Sequence, residues 1–179
     1  MWFGAVTCLL SLVTLGDAAA KPKLMERAES VKIYAYGTGI AGLPVNLGAD
    51  GKAYISKPSD NVTSITWDID PTGSLPWNLT STDNSTLAAS SFYIITESGA
   101  FEPAGFVDTN STLPSGAATT GFITYGPYVM YLSGNTYVSE FWAKTTNTTG
   151  LWTLMWNQDG TDEADSEPIT LKTTAPITD

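Results

Sequence analysis

The chain has 179 residues, with 18 acidic and 8 basic side chains, one cysteine, no histidine and a formal net charge of −10 at pH 7. This length fits one domain whose core can fold without covalent staples. The absence of histidine excludes Ser-His-Asp and Cys-His catalysis and most zinc and copper sites. The acidic surplus argues against nucleic acid as a partner.

The N-terminus predicts a signal peptide over residues 1–20. Residues 3–15 are apolar but too few to span a bilayer, and residues 18–20 are alanines that suit a signal peptidase. The only cysteine, Cys8, lies in this segment, so the mature protein is expected to be cysteine-free. We therefore expect a secreted protein, extracellular or in the cell wall, with no membrane insertion. Residues 21–29 are predicted to form a propeptide or a flexible arm, and residues 30–179 a single β domain.

From Ser30 onward the hydrophobic pattern has a period of two, which is typical of strands. The first half of the domain is predicted to contain strands at 30–36, 45–47, 52–56 and 62–69. Ile65, Trp67 and Ile69 should share one face of the fourth strand. The sequence Asp70-Pro71-Thr72-Gly73 predicts a turn after it. Residues 71–90, rich in Ser, Thr, Asn and Pro, are predicted to form an exposed loop.

The second half of the chain carries the stronger strand signals. Strands are predicted at 91–96 and 101–107, followed by a loop over 110–118. An antiparallel meander is then predicted from four strands at 122–125, 128–132, 137–143 and 151–157. An acidic loop follows at 159–167, with an edge strand at 169–172. About eight to ten short strands with Gly and Pro turns predict an all-β fold, an antiparallel β-sandwich or barrel.

Four segments of the domain resemble blocks of small secreted proteins of filamentous fungi. They are residues 34–45, 50–55, 98–106 and 151–157, which include the motifs Tyr-Gly-Thr-Gly-Ile-Ala-Gly-Leu-Pro and Leu-Trp-Thr-Leu-Met-Trp-Asn. The resemblance covers residues 30–157 and rests mostly on Gly, Pro and aromatic positions. It implies secretion and a fungal source. Because that group of proteins has no established activity, it implies no mechanism.

Five asparagines open an Asn-x-Thr triplet, the acceptor pattern for N-glycosylation. They are Asn61, Asn78, Asn84, Asn110 and Asn147. We expect glycans at three or more of them, in surface loops.

Carboxylates are the catalytic groups that the composition leaves available, and a glycosidase needs two of them across one bond. The candidates on predicted strands or at their ends are Glu140, Asp68, Glu97 and Glu102. We favour the simpler interpretation that they lie on a solvated strand face, where such residues are ordinary. The acidic loop 159–167 could bind Ca²⁺ through oxygen ligands, but it lacks the ligand spacing of a known calcium loop, and we favour a solvated loop. We predict no cofactor and no metal.

Aromatic residues suggest a second kind of site. Trp152, Leu154 and Trp156 share one face of a strand that is apolar on both faces, which predicts a buried central strand. Trp77 lies in the predicted exposed loop, so it joins Tyr125, Tyr128 and Tyr131 as a candidate for stacking on sugar rings.

These observations favour a secreted, N-glycosylated, non-enzymatic protein of the cell wall or extracellular matrix that binds polysaccharide. A carboxylate-dependent glycan-active enzyme is one alternative. A secreted effector that acts on a host protein is another, and a homodimer is compatible with each. A cleft with two carboxylates would favour the enzyme, whereas an exposed aromatic strip would favour the glycan binder.

Overall fold

The computed structural model describes residues 27–59, 61–81 and 90–177. The predicted signal peptide, most of the predicted arm and the sequon at Asn84 lie outside these residues. Among the described residues all regular structure is strand, with no helix. This confirms the predicted all-β class.

Eighteen strands follow one another along the described residues, many of them only two to four residues long. The first nine are β1 (Ala28–Val31), β2 (Tyr34–Gly37), β3 (Ile40–Gly48), β4 (Ala53–Ser56), β5 (Val62–Thr63), β6 (Ile65–Ile69), β7 (Asn78–Ser81), β8 (Ser90–Ile95) and β9 (Phe101–Pro103). The other nine are β10 (Gly105–Asp108), β11 (Ala117–Ala118), β12 (Phe122–Tyr125), β13 (Tyr128–Ser133), β14 (Thr136–Val138), β15 (Phe141–Thr145), β16 (Leu151–Asn157), β17 (Ser166–Pro168) and β18 (Thr170–Lys172).

These strands form two antiparallel sheets. The smaller sheet has the order β1-β6-β7-β8-β10, with β11 added beside β8. The larger sheet has the order β12-β13-β18-β2-β3-β4-β16-β15-β17, with β5, β9 and β14 attached to β3, β16 and β13. The strands are more numerous than predicted because bulges and short turns divide several of the predicted segments.

An aromatic core lies between the two sheets. In the smaller sheet the Trp67 ring packs edge-on against Phe92, with centroids 5.1 Å apart. Phe92 in turn meets Phe122 of the larger sheet at 5.0 Å. On the larger sheet Phe141 and Trp156 pack edge-on at 5.0 Å. Side chains of both sheets therefore share one apolar layer, as in a β-sandwich.

The period-two pattern placed several core residues correctly. Ile65, Trp67 and Ile69 are all buried, as the alternation in their strand requires. The turn at Asp70 is also confirmed, since the Gly73 N–H donates to the Asp70 carbonyl oxygen. Strand β16 pairs with β4 and β15 and is therefore internal, and its residues Leu154 and Trp156 are buried.

Three predictions about local structure are wrong. Residues 71–90 are not simply a loop, because they contain β7, which pairs with β6 and β8 inside the smaller sheet. The strand predicted at 137–143 is broken at Ser139 and Glu140; β14 pairs with β13, whereas β15 pairs with β16 and β17. The last strand, β18, is not an edge, because it pairs with β13 on one side and β2 on the other.

The domain also begins before Ser30. Strand β1 starts at Ala28 and pairs with β6, so residues assigned to a flexible arm belong to the smaller sheet. Just ahead of it, the Arg27 guanidinium donates to a carboxylate oxygen of Asp68 and to the carbonyl oxygen of Pro76, the latter at 3.2 Å. Arg27 thus ties the start of β1 to β6 and to the segment that leads into β7.

We expect the mature secreted protein to begin at Lys21 and not near Ser30. Cleavage near Ser30 would remove Arg27 and half of β1, whereas cleavage after Ala20 keeps both. Intact-mass analysis and N-terminal sequencing of the secreted protein test this. A mature chain that starts at Ser30, or one that still starts at Met1, would contradict it.

Candidate functional site

The outer surface of the larger sheet carries a row of tyrosines, which we call the tyrosine face. Tyr125 and Tyr128 lie directly opposite each other on the β12–β13 hairpin, and Tyr128 also pairs with Lys172 of β18. Lys172 pairs in turn with Tyr34 of β2. Because directly opposed residues project from the same side of a sheet, these four side chains and Tyr36, two residues from Tyr34, form one face.

Lys172 fixes two rings of the tyrosine face. Its ammonium nitrogen lies 4.7 Å from the Tyr36 ring centroid and 5.1 Å from that of Tyr128, so it makes a cation–π contact with each. The Tyr36 hydroxyl donates to the Thr174 carbonyl oxygen at 2.8 Å, and burial together with the neighbouring Tyr34 raises the pKa of Tyr36. These contacts hold the rings of Tyr36 and Tyr128 in place before any ligand arrives.

The tyrosine face is open to solvent at its outer end. Tyr125 is 70% exposed and Tyr128 is 43% exposed. The same side of the sheet continues on the β13–β14 hairpin, where Leu132 and Tyr137 are opposed and both exposed. Three tyrosine rings and one leucine side chain are therefore exposed on one face of the sheet. Each tyrosine ring offers an apolar surface with a polar hydroxyl group at its edge.

The other two stacking candidates belong to the core. Trp77 is fully buried: its ring packs on Phe122 at 5.8 Å, and its Nε1–H donates to the Asp70 carbonyl oxygen at 2.8 Å. Tyr131 points to the inner side of β13 and contacts Phe122 and Trp156. The prediction that Trp77 is a surface stacking residue is wrong, since its ring is fully buried, whereas Tyr131 is partly buried and packs against the core from the inner side of the sheet.

Two of the four candidate carboxylates, Asp68 and Glu140, lie in different parts of the fold, and each has a structural role. Asp68 is ion-paired to Arg27 beside β1. Glu140 is half-buried at the break between β14 and β15, where its carboxylate lies next to Gly160 and its carbonyl oxygen accepts from the Asn157 N–H. Neither lines the cleft that holds the other two candidate carboxylates.

The other two carboxylates, Glu97 and Glu102, line one open cleft of about 650 Å³. They flank the turn between β8 and β9, and the Ser115 hydroxyl donates to Glu97 at 2.8 Å. Lys52 and Tyr93 form another part of the cleft wall. Burial raises the pKa of Tyr93, so this phenol stays protonated around neutral pH. The cleft thus places two exposed carboxylates beside a lysine and a phenol.

A short polar network holds Lys52 at the edge of this cleft. Its ammonium nitrogen is 3.1 Å from Asp50, and the Tyr54 hydroxyl donates to the same carboxylate at 3.0 Å. Burial alone would raise the pKa of Asp50, but the hydrogen bonds from Lys52 and Tyr54 outweigh it and lower that pKa. Asp50 therefore stays ionised and keeps Lys52 in place.

The acidic loop after β16 is pinned by hydrogen bonds to its neighbours. An Asp159 carboxylate oxygen accepts from the Gly99 N–H at 3.1 Å, and the Asn157 side chain donates to the Thr161 carbonyl oxygen. Within residues 27–59, 61–81 and 90–177 no group of three or more Asp, Glu, His or Cys side chains is arranged to hold a metal ion.

The sequons differ in how open they are. Asn61, Asn110 and Asn147 are exposed in turns or loops. Asn78 is half-buried in β7, and its side-chain oxygen accepts from the Ser91 hydroxyl at 2.9 Å. Asn78 is the least suitable of the four described sequons, because it is half-buried within a strand of the smaller sheet.

Comparisons with known proteins do not identify a family for the chain. Along the described part of the chain there is no helix long and apolar enough to cross a membrane. No protein-family model, no curated protein and no solved structure matches the chain. The resemblance to small secreted fungal proteins therefore stays a prediction, and the candidate sites rest on geometry alone.

Proposed function

We propose that this chain is a secreted, N-glycosylated, non-enzymatic protein that binds a neutral cell-wall polysaccharide through the tyrosine face. The observation that carries the proposal is the exposure of Tyr125 and Tyr128, which lie opposite each other on one hairpin. The ring of Tyr128 also contacts the Lys172 ammonium group. Large aromatic rings exposed side by side on a rigid sheet are unusual unless they serve a contact.

The chemistry of the tyrosine face fits a sugar polymer. A pyranose ring has apolar C–H faces and hydroxyls at its rim, which match the apolar face and polar edge of tyrosine. A sheet surface is extended and nearly flat, so it can contact several sugar units along a chain. The net charge of −10 disfavours acidic polymers, which leaves neutral glucans, chitin and cellulose as the ligand class.

We expect the double substitution Tyr125→Ala/Tyr128→Ala to weaken retention on polysaccharide about tenfold, since two stacked rings contribute roughly 1–3 kcal/mol. Retention of the deglycosylated protein on insoluble chitin, β-glucan and cellulose is the measurement. Tyr125→Phe/Tyr128→Phe keeps the rings and should retain most of the binding. Leu75→Ala, which trims an exposed apolar side chain outside the tyrosine face, is the matched control and should bind as the parent does.

The proposal fails if the parent binds none of the three polymers, or if the alanine and phenylalanine variants bind equally well. Both outcomes are informative because Tyr125 and Tyr128 are too exposed for their loss to unfold the domain. Melting temperatures within a few degrees of the parent would verify this.

A specific observation supports one alternative, a glycan-active enzyme in the cleft of Glu97 and Glu102. A glycosidase needs one carboxyl group as acid and another as base or nucleophile, and these two residues line the same cleft. Release of reducing ends from the same polymers, abolished by both Glu97→Gln and Glu102→Gln, would replace the binding proposal with this one.

A further inference from the structure

A groove at one open end of the sandwich exposes part of the core to solvent. It has a volume of about 700 Å³ and lies between the end of β4 with residues 57–59 and Asn61 on one side and residues 148–152, where β16 begins, on the other. Its apolar lining includes Leu43 and Trp152, which pack against the core but stay half-exposed, together with Pro58 and Leu151. We call this depression the Trp152 groove.

A sequon lies in the wall of the Trp152 groove. Asn61 is exposed, lines the groove itself and opens the triplet Asn61-Val62-Thr63. The turn after it is held in place, because the Val62 N–H donates to the Ser59 carbonyl oxygen and β5 pairs with the end of β3. A sugar attached to Asn61 would therefore start at the edge of the groove, which Asn61 shares with a smaller depression lined by Tyr54 and Val62.

From this placement we infer that the N-glycan on Asn61 folds back into the Trp152 groove, where its first N-acetylglucosamine covers the Trp152 ring. The inference rests on the glycosylation that is part of the proposed function. It goes further, because it makes one glycan a component of the folded core rather than a surface decoration.

The chemistry of N-acetylglucosamine suits this groove. One face of the pyranose ring and the acetamide methyl are apolar and match the Trp152 ring and Leu43. The acetamide N–H and carbonyl need hydrogen-bond partners, and the groove rim carries the hydroxyl residues Ser59 and Thr148. Because the sugar is covalently attached beside the groove, its effective concentration there is high and weak contacts are sufficient.

A neighbouring sequon provides a matched control. Asn147 is also exposed, and Thr148 and Thr149 of its loop line the groove, but Asn147 itself does not. A glycan on Asn147 would stand beside the groove, and one on Asn110 would lie in another loop. Neither asparagine lines the Trp152 groove, so removal of either glycan leaves the groove as it was.

The test compares Asn61→Gln, Asn147→Gln and Asn110→Gln in protein secreted from a glycosylating host and trimmed by endoglycosidase to single N-acetylglucosamines. We expect Asn61→Gln to lower the melting temperature by about 2–4 °C, and the other two variants to change it by less than about 1 °C. Acrylamide should quench tryptophan fluorescence more strongly in Asn61→Gln than in the parent, because Trp152 is uncovered.

A double-mutant cycle separates a contact with Trp152 from a general effect of glycosylation. In a Trp152→Leu background the loss of the Asn61 glycan should cost little further stability, since the ring that it covers is absent. Equal shifts for Asn61→Gln with and without Trp152 would overturn the inference, and so would equal shifts for Asn61→Gln and Asn147→Gln.

Site occupancy, measured by glycopeptide mass spectrometry, distinguishes the absence of a glycan on Asn61 from a glycan that does not contact the groove. If Asn61 carries no glycan, the inference fails with the glycosylation on which it rests. If Asn61 is occupied but the melting temperature and quenching do not respond, the inference alone fails. A shift that appears only at high protein concentration would indicate that a second copy of the chain covers the groove instead.

Discussion

Replacement of Trp156 by alanine is expected to lower the free energy of unfolding by about 3–5 kcal/mol, a large share of the stability of a domain of this size. Trp156 is 1% exposed, and its ring packs edge-on against Phe141 and Tyr131 at 5.0 and 5.5 Å. Its Nε1–H donates to the Gln158 side chain at 3.0 Å. Truncation would leave a large cavity in the larger sheet, and chemical denaturation of the deglycosylated protein measures the loss.

Trp152→Ala is the matched control for Trp156→Ala. Both residues lie on β16 and point to the same side, but Trp152 is half-exposed at the Trp152 groove and already contacts solvent. Its truncation in the deglycosylated protein should therefore cost clearly less. Equal losses of unfolding free energy for the two variants would mean that Trp152 is as buried as Trp156. This would contradict a groove that exposes Trp152 to solvent.

Much of the fold follows from local sequence patterns. The alternation in β6 places Ile65, Trp67 and Ile69 on one face without any knowledge of partner strands. A strand that is apolar on both faces, as β16 is, has to lie inside a sheet, and its pairing with β4 and β15 agrees. These inferences succeed because burial on a strand depends on a period of two, which is visible in a single segment.

The residue composition of β7 did not indicate a strand. Only Trp77 and Leu79 mark its buried side, while Asn78 and Thr80 are typical of a glycosylated loop. Pairing with β6 and β8 supplies the hydrogen bonds that stabilise this strand, and such pairing depends on residues distant in sequence. Local propensity therefore gave the wrong answer where tertiary contacts decided the structure.

The tyrosine face could be predicted only in part. Tyr128 and Tyr131 are three residues apart on β13, so the same period of two places them on opposite faces, and this signal was available in the sequence. In contrast, the position of Lys172 between Tyr36 and Tyr128 depends on the insertion of β18 between β2 and β13. No local pattern specifies that long-range pairing.

The burial of Trp77 depends on a turn that is stabilised by the buried carboxylate of Asp70. Asp70 is 6% exposed, and its oxygens accept from the Leu75 N–H at 2.8 Å and from the N–H and hydroxyl of Thr72. Burial alone would raise the pKa of Asp70, but these hydrogen bonds outweigh it and lower the pKa. The ionised carboxylate therefore stabilises the fold above the ordinary aspartate pKa of 3.8, and this contribution is lost as the pH falls through the lowered value.

The fixed turn at Asp70 presents a backbone carbonyl to the Trp77 indole, which explains why a tryptophan can be buried there. Trp67, on the adjacent strand β6, is buried to the same extent, yet its Nε1 has no hydrogen-bond partner among the described residues. The two tryptophans therefore differ in the hydrogen bond while sharing the same core. This pair allows ring volume and indole hydrogen bonding to be separated by substitution.

We expect Trp77→Ala to lower the free energy of unfolding by about 3–5 kcal/mol, since it empties a fully buried site next to Phe122. Trp77→Phe should cost about 1 kcal/mol more than Trp67→Phe, because it also removes the indole hydrogen bond to the Asp70 carbonyl oxygen, which then keeps only the longer one from the Gly73 N–H. Denaturant unfolding at pH 7 measures all three variants. A Trp77→Ala protein as stable as the parent would place the ring on the surface and restore Trp77 as a candidate for sugar stacking.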